Sequence, residues 1–361
     1  MPIVIWNDLR KERSIRSARN EVEHMKWASS MQILQWVIAL RFLFAVALAH
    51  ASNSYFNFTL EDDMFVGRDY GYTGGAQLGW SKGLAPTYDK LAPKWIATAA
   101  KSLWLNNDPS QQKAVSFKVG MMIYTPKDLT RKTPDPTDLP YSGMIYWQGT
   151  LHSLDNKTAD RAYLLLGLVG PSSGAEYVQK GIHHLLGSQQ PRGWDSQLDN
   201  EPVFKIGVAR RWRAAYYNFD HSRWGIDVVT NSEISVGTFE SIADQYISFR
   251  IGQELLYSYP TAGLLPGRDI NPLACVAGRN VNIFITIMAR YQPNALYVQG
   301  NTFGGRRTNL NIEREQQAWS AGVNWNIGMW GYEFAIVRNT GIFDGANALQ
   351  TFGQASVTRR Y

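Results

Sequence analysis

The chain is poor in cysteine, in charge and in long apolar runs. Its 361 residues hold a single cysteine, Cys275, which excludes an internal disulfide framework and a cysteine-built metal knuckle. Charged residues are only 18% of the chain, and a net charge of +6 is spread over 36 basic and 30 acidic residues without a basic block. That excludes the electrostatic footprint of a nucleic-acid binder. No G-x-S-x-G elbow occurs, so a serine-hydrolase mechanism has no support. A mean hydropathy of -0.27 also argues against a bundle of transmembrane helices.

What is abundant is aromatic: 13 Trp, 18 Tyr and 15 Phe, 13% of the chain. A disordered chain lacks that apolar mass. One segment, Met31–Ala49, could cross a bilayer as a helix, and Arg41 interrupts it. Ala49-His50-Ala51 follows as an A-x-A cleavage pattern, with polar Ser52 after it. A basic lead, an apolar run and a small-residue site predict a cleaved secretory signal. Residues 1–51 are therefore expected to be an extension plus signal peptide, and residues 52–361 the exported domain. A retained membrane anchor is the second reading.

Beyond Ser52 the dominant period is two. In Val281–Arg290 every odd position is apolar, and Val323–Met329 and Val115–Met121 repeat the pattern. Alternation predicts strands with one apolar and one polar face. Similar segments recur near 143–153, 161–169, 203–216, 223–238, 244–257, 294–303 and 349–361. Many approach the ~9–11 residues that a tilted membrane strand needs. Mid-strand Asn, Gln and Gly, aromatics at segment ends and the terminal Tyr361 favour a membrane barrel over a periplasmic sandwich. One stretch breaks the period. Pro171–Gly187 predicts a short helix, started by Pro171 and stopped by Gly187, with an apolar stripe of Val178, Ile182, Leu185 and Leu186.

Three clusters carry chemistry. Glu61-Asp62-Asp63 supplies consecutive hard oxygen donors at a strand end, which suit Ca²⁺. Asp69–Gly75 leads into the second strand and includes Tyr72 and Thr73. The helix carries His183 and His184, either of which could act as a base toward water. On a helical wheel His183 lies nearer the apolar stripe, on the side of Gln179.

These clusters, in this order, resemble the lipid A 3'-O-deacylase (LpxR) family. Its E-N-D-x-F motif is matched by Glu61-Asp62-Asp63-Met64-Phe65, and D-R-x-Y-T-x-G by Asp69, Tyr72, Thr73 and Gly75. Tyr124-Thr125-Pro126 and Asp138-Leu139-Pro140-Tyr141-Ser142-Gly143 follow. The most specific matches are Gly167, Gly170, Pro171, Gln179 and His183, and then Gly193–Pro202.

The resemblance implies a twelve-stranded outer-membrane β-barrel with a site between the wall and a short helix, facing the outer leaflet. It implies a Ca²⁺-dependent hydrolase that releases the 3'-linked acyloxyacyl group of lipid A in lipopolysaccharide. By motif, His183 is the base, Asp63 the family's essential Asp and a ligand of Ca²⁺, and Thr73 a site residue. Asp62 would be a second metal ligand, Arg131 and Lys132 would meet lipid A phosphates, and Tyr72 would line the substrate site. Asp62 stands where the family has Asn, and only Asn can donate a hydrogen bond. Tyr70 and Leu139 replace family arginines, and Gln189 replaces a carboxylate found in a relative. A monomer is expected. The alternative is an inert barrel of the same fold, structural or channel-forming.

Overall fold

Each strand runs antiparallel to both of its neighbours, and the last returns to the first. The structure, a computed structural model, describes residues 54–66, 71–220, 222–260, 278–346 and 349–361. The expected signal segment, Asp69, Tyr70 and Cys275 lie outside the described residues. The first six strands are β1 (Ser54–Asp62), β2 (Gly71–Ala85), β3 (Gln112–Thr125), β4 (Ser142–Leu154), β5 (Thr158–Val169) and β6 (Glu201–Asn218). The remaining six are β7 (Trp224–Gly237), β8 (Glu240–Gln253), β9 (Gly278–Ala295), β10 (Glu315–Gly328), β11 (Trp330–Asn339) and β12 (Gln350–Arg360). They close in sequence order, with Tyr55 of β1 opposite Arg360 of β12. Closure leaves no sheet edge, so the wall satisfies its own backbone without water, as lipid requires.

The helices are α1 (Lys94–Lys101), α2 (Ala175–Leu186) and α3 (Leu296–Gln299). No helix among the described residues is long and apolar enough to cross a membrane; the crossing elements are strands. The end of α2 and its exit, Gly181–Ser188, group apart from the barrel unit and are described on their own below.

The alternation has the opposite sense to that of a soluble sheet. In β9, Ile283, Ile285 and Ile287 are exposed, while Asn282, Thr286 and Arg290 are buried. In β6, Phe204, Ile206 and Val208 are exposed, while Lys205 and Arg211 are buried. A sandwich would bury its apolar faces, so this pattern requires lipid outside and a polar interior.

The interior is bridged by charge. Lys205 Nζ lies 2.6 Å from Glu240 Oε1. Arg161 pairs with Glu233, and Asp227 accepts from both Arg213 and Arg250. Such groups are tolerable out of water only when paired. Next to Glu240, whose Oε2 accepts from the Tyr297 hydroxyl at 3.2 Å, the filling is aromatic. Tyr124 of β3 stacks on Tyr297 of α3 at 4.0 Å and 7°, and Phe239 leans on Tyr297 at 5.4 Å.

That stack corrects one expectation. The segment 294–303 is not a strand: β9 ends at Ala295, and Leu296, Tyr297 and Val298 turn inward, all buried. Asn301 Nδ2 and Thr302 N then donate to Glu201, at 3.0 and 2.9 Å. A buried apolar run reads like a strand whichever way its backbone coils. The ring stack links the wall at β3 to the chain leaving β9, on the far side of the barrel, and so crosses the mouth.

Connections 155–157 and 219–223 lie at the end that holds the start of β1 and the finish of β12. The longer 126–141, 170–200 and 296–314 lie at the opposite end. The β2–β3 connection, 86–111, is a longer exception at the first end, and 238–239 a short one at the opposite end; in outer-membrane barrels the end with the short turns faces the periplasm.

The filled interior predicts a closed barrel. In planar bilayers the folded protein should give no stepwise conductance, and Tyr297→Ala alone should not open a stable pore. Regular single-channel steps from the wild type would show that the interior bridges do not hold.

Candidate active site

Period-two geometry separates the consecutive acids at the end of β1. Glu61 points inward and accepts a 2.5 Å hydrogen bond from the Tyr72 hydroxyl. Asp62 is the outward-facing neighbour, half-buried. Asp63 opens a single 3-10 turn, Asp63–Val66, and is fully buried. Phe65 lies over Gly353 of β12, where an added Cβ would sit 2.7 Å from Phe65 Cβ. The turn therefore folds back on the outside of the wall, beside Asp62, whose partner across β1–β12 is Gly353.

A bulge places Thr73. Tyr72 pairs with Tyr124 and Gly74 with Ile123, so Thr73 is the extra residue between them. Its hydroxyl meets that of Thr125 at 2.5 Å. Thr125 belongs to the outward set of β3, with Ile123 and Met121, yet both threonines are buried. Tyr72, expected at the substrate, lies on the inner side instead, its ring packed on Tyr124 and Phe352.

The first turns of α2 dock on the same outer face. Gly143, opposite Ile123 on β4, points outward. A Cβ there would stand 2.1 Å from Ala175 Cβ and 2.7 Å from Ser173 Oγ. Only glycine lets the helix start sit directly on the wall. The entry is built from glycines as well: Gly170 at φ 100° and Gly174 at φ 74° flank the turn Pro171–Ser173. Trp194 Nε1 donates to Gln179 Oε1 at 2.8 Å, and the Trp194 ring rests on Tyr141 at 5.0 Å. Gln179 Nε2 is buried and has no hydrogen-bond partner among the described residues.

In the first turns of α2 the buried residues are Ala175 and Gln179, at 1% and 2% exposure, one turn apart. In the last turns, taken alone, His183 is buried and His184 exposed. Ser188 N donates to His183 O at 2.8 Å, and Gly187 at φ 66° ends the helix.

The apolar stripe seen in the sequence is not the hidden face. Val178 (42%), Ile182 (36%) and Leu185 (44%) are exposed, as is Tyr177. A helix on the lipid side of a membrane wall has no reason to hide apolar groups; it hides its polar line.

Arg131 and Lys132 are exposed in the 126–141 loop. Arg131 Nη1 lies 2.9 Å from Asp135. Hydrogen bonds from Thr137, then Arg131, hold the Asp135 carboxyl below its usual range. The loop also braces the helix: Arg192 N donates to Leu129 O at 2.9 Å, and Leu129, Tyr141, Ala175 and Trp194 share one core cluster.

The family model described as "Outer membrane protein LpxR" matches residues 34–361. The chain belongs to the LpxR family. The structure of LpxR from Salmonella typhimurium is similar at a TM-score of 0.69 and 15% identity, covering 85% of this chain and 100% of that one. The β domain of the Bordetella autotransporter Brka is similar only at 0.43 and 8% identity, covering 85% of this chain and 98% of that one. No curated protein matches by sequence. Membership in the LpxR family supports an outer-membrane lipid A deacylase.

Within this LpxR-family chain, Asp62, Asp63 and Thr73 share one outer corner of the wall. The sequence motifs contained Gln179 and Thr125 but gave no reason to single them out. Their signals were Gln179's position one turn before His183 and Thr125's register beside Thr73.

Gly143 gives the test. Gly143→Val overpacks the contact with Ala175, at ~1–3 kcal/mol. The variant should keep heat-modifiable migration on gels while limited proteolysis within 170–200 speeds up by about tenfold. Unchanged cleavage would mean that α2 does not rest on Gly143.

Proposed function

We propose that the chain hydrolyses the ester that links the 3' acyloxyacyl group to lipid A in the outer leaflet. One observation carries this reading: Asp62 and Thr73 face the lipid side of the wall, not the interior. A substrate that reaches them arrives through the membrane plane, as a lipid does.

In the proposed reaction His183 removes a proton from water as the water attacks the ester carbonyl. The same imidazolium then protonates the departing 3' oxygen, leaving a free sugar hydroxyl and a fatty acid. Gln179 Nε2 is the donor for the carbonyl oxygen, taking up what Asp62, unlike Asn, cannot give. Thr73, tied to Thr125, fixes the edge of the site. Arg131 and Lys132 meet a phosphate of lipid A by charge-assisted bonds. Tyr72 acts indirectly, by holding Glu61 at the base of the acidic corner.

Ca²⁺ would be held by Asp63 and Asp62, and when bound it polarises the ester carbonyl. Among the described residues no three His, Cys, Asp or Glu side chains form a metal cluster. Adjacent hard carboxylates still suit Ca²⁺, with backbone, water and substrate oxygens completing its shell. Binding should accordingly be weak.

Two measurements test this on purified, folded protein. His183→Ala should lower turnover ~10²–10⁴-fold and His184→Ala much less, because His184 is exposed. Equal losses for the two variants would contradict the assignment of the base. Separately, a chelator should abolish deacylation and added Ca²⁺ restore it; activity that persists in excess chelator would remove the metal from the mechanism.

A further inference from the structure

The β2–β3 connection, 86–111, leaves the periplasmic end of the barrel but does not hang free. It folds back against the outside of the wall. Lys113 belongs to the outward set of β3, yet it is 1% exposed. Its ammonium donates to Leu105 O at 2.7 Å, Asp108 O at 3.0 Å and Ser153 Oγ at 2.7 Å. The Tyr88 hydroxyl donates to His152 O at 2.7 Å. Ala97, Ala100 and Leu105 pack in one cluster with Val115, and Phe117 and Leu151 of the lipid-facing wall lie against it.

The neighbouring strands fix the depth. Trp80, Phe117 and Trp147 form an aromatic row on the outer face, with ring separations of 5.9 Å. Lys82 follows Trp80 on the same face of β2 and is exposed. Asp160 and Arg210, ion-paired at 2.6 Å, are outward residues of β5 and β6 close to the same end. Aromatic belts followed by charge mark the edge of the hydrocarbon.

Just past that edge, α1 turns Ala97 and Ala100 to the wall. Trp95 lies on the opposite side of the helix at 71% exposure, flanked by exposed Lys94. Trp104, in the turn after α1, is also exposed. A tryptophan directed away from the wall at this level points sideways, into the surrounding leaflet.

We propose that Tyr88–Asn106 is a foot lying in the headgroup layer of the periplasmic leaflet. Trp95 and Trp104 sit at the acyl boundary, and Lys90 and Lys94 meet the phosphates of anionic phospholipid. This is the posture of an interfacial helix, continuous with the aromatic row above it. The proposal does not depend on the hydrolase reading.

The test uses the exported chain with Cys275→Ser, carrying a nitroxide label at Ala99→Cys. Ala99 is one turn beyond Trp95 and exposed. The reference label is at Asn156→Cys, in the exposed β4–β5 turn of the same end. Both are reconstituted in phosphatidylethanolamine–phosphatidylglycerol vesicles after heat-modifiable migration confirms folding. Power saturation should find the label at 99 more accessible to oxygen than to a water-soluble nickel complex, with the reverse at 156. Replacing phosphatidylglycerol by phosphatidylcholine should move the label at 99 toward water, and Lys94→Gln together with Lys90→Gln should remove that dependence. A water-like label at 99 in both lipids would overturn the proposal. So would a label at 99 that leaves water only as the protein-to-lipid ratio rises, which points to a second copy of the chain.

Discussion

Lipid on the outside of the wall is the constraint on which the rest of the structure depends. It forces closure, because an open edge would leave backbone groups unpaired in hydrocarbon. It also reverses the amphipathic rule for every element that touches the wall. Strands send isoleucine and phenylalanine out and lysine, arginine and glutamate in. The interior must then neutralise its own charge, which it does pair by pair through Lys205–Glu240, Arg161–Glu233 and the Asp227 cluster. The first turns of helix α2 obey the same reversal, hiding Gln179 and exposing Val178.

Polar side chains on the outer face at the end of the long loops are the anomaly, and Asp62, Thr73 and Thr125 coincide with the motifs. Asp62 has glycine on both neighbouring strands, Gly353 and Gly74, and Thr73 and Thr125 stand together on the same outer face. Their polarity is compensated locally: Thr73 by Thr125, and the wall at Gly143 by the start of α2. Glycine at 74 and 143 thins the wall on either side of Ile123. The covering helix is held there by Trp194 and Tyr141, which come from separate loops.

Strand alternation in Val281–Arg290 was legible from the sequence, but not which face was buried; that depends on the solvent, which no period encodes. Mid-strand Asn, Gln and Gly, aromatics at strand ends and the terminal Tyr361 favour a barrel over a sandwich, and the closed twelve-stranded wall bears that out. The helix bounded by Pro171 and Gly187 was legible because both residues act locally. Leu296–Val298 was misread because burial inside the mouth leaves the same apolar run as a strand. β11 escaped notice because only Met329 separates it from β10, so no turn-rich stretch marks the boundary. The apolar stripe that singles out His183 in the sequence is exposed at Val178, Ile182 and Leu185, while His183 itself is buried and His184 exposed.

The departure at Asp62 bears directly on chemistry. A carboxylate in place of an amide strengthens the acidic corner for a cation and removes a donor to an oxyanion. Gln179 Nε2 is a buried donor with no hydrogen-bond partner among the described residues, and the proposed reaction uses it in place of the missing amide. The measurement that tests this account most directly is mass spectrometry of lipid A from a Gram-negative host with and without the expressed chain. The account predicts a lipid A species lacking the whole 3' acyloxyacyl group, appearing only when the folded barrel is in the outer membrane. Unchanged lipid A, with Ca²⁺ present and the barrel folded there, would contradict it and leave an inert wall of the same architecture.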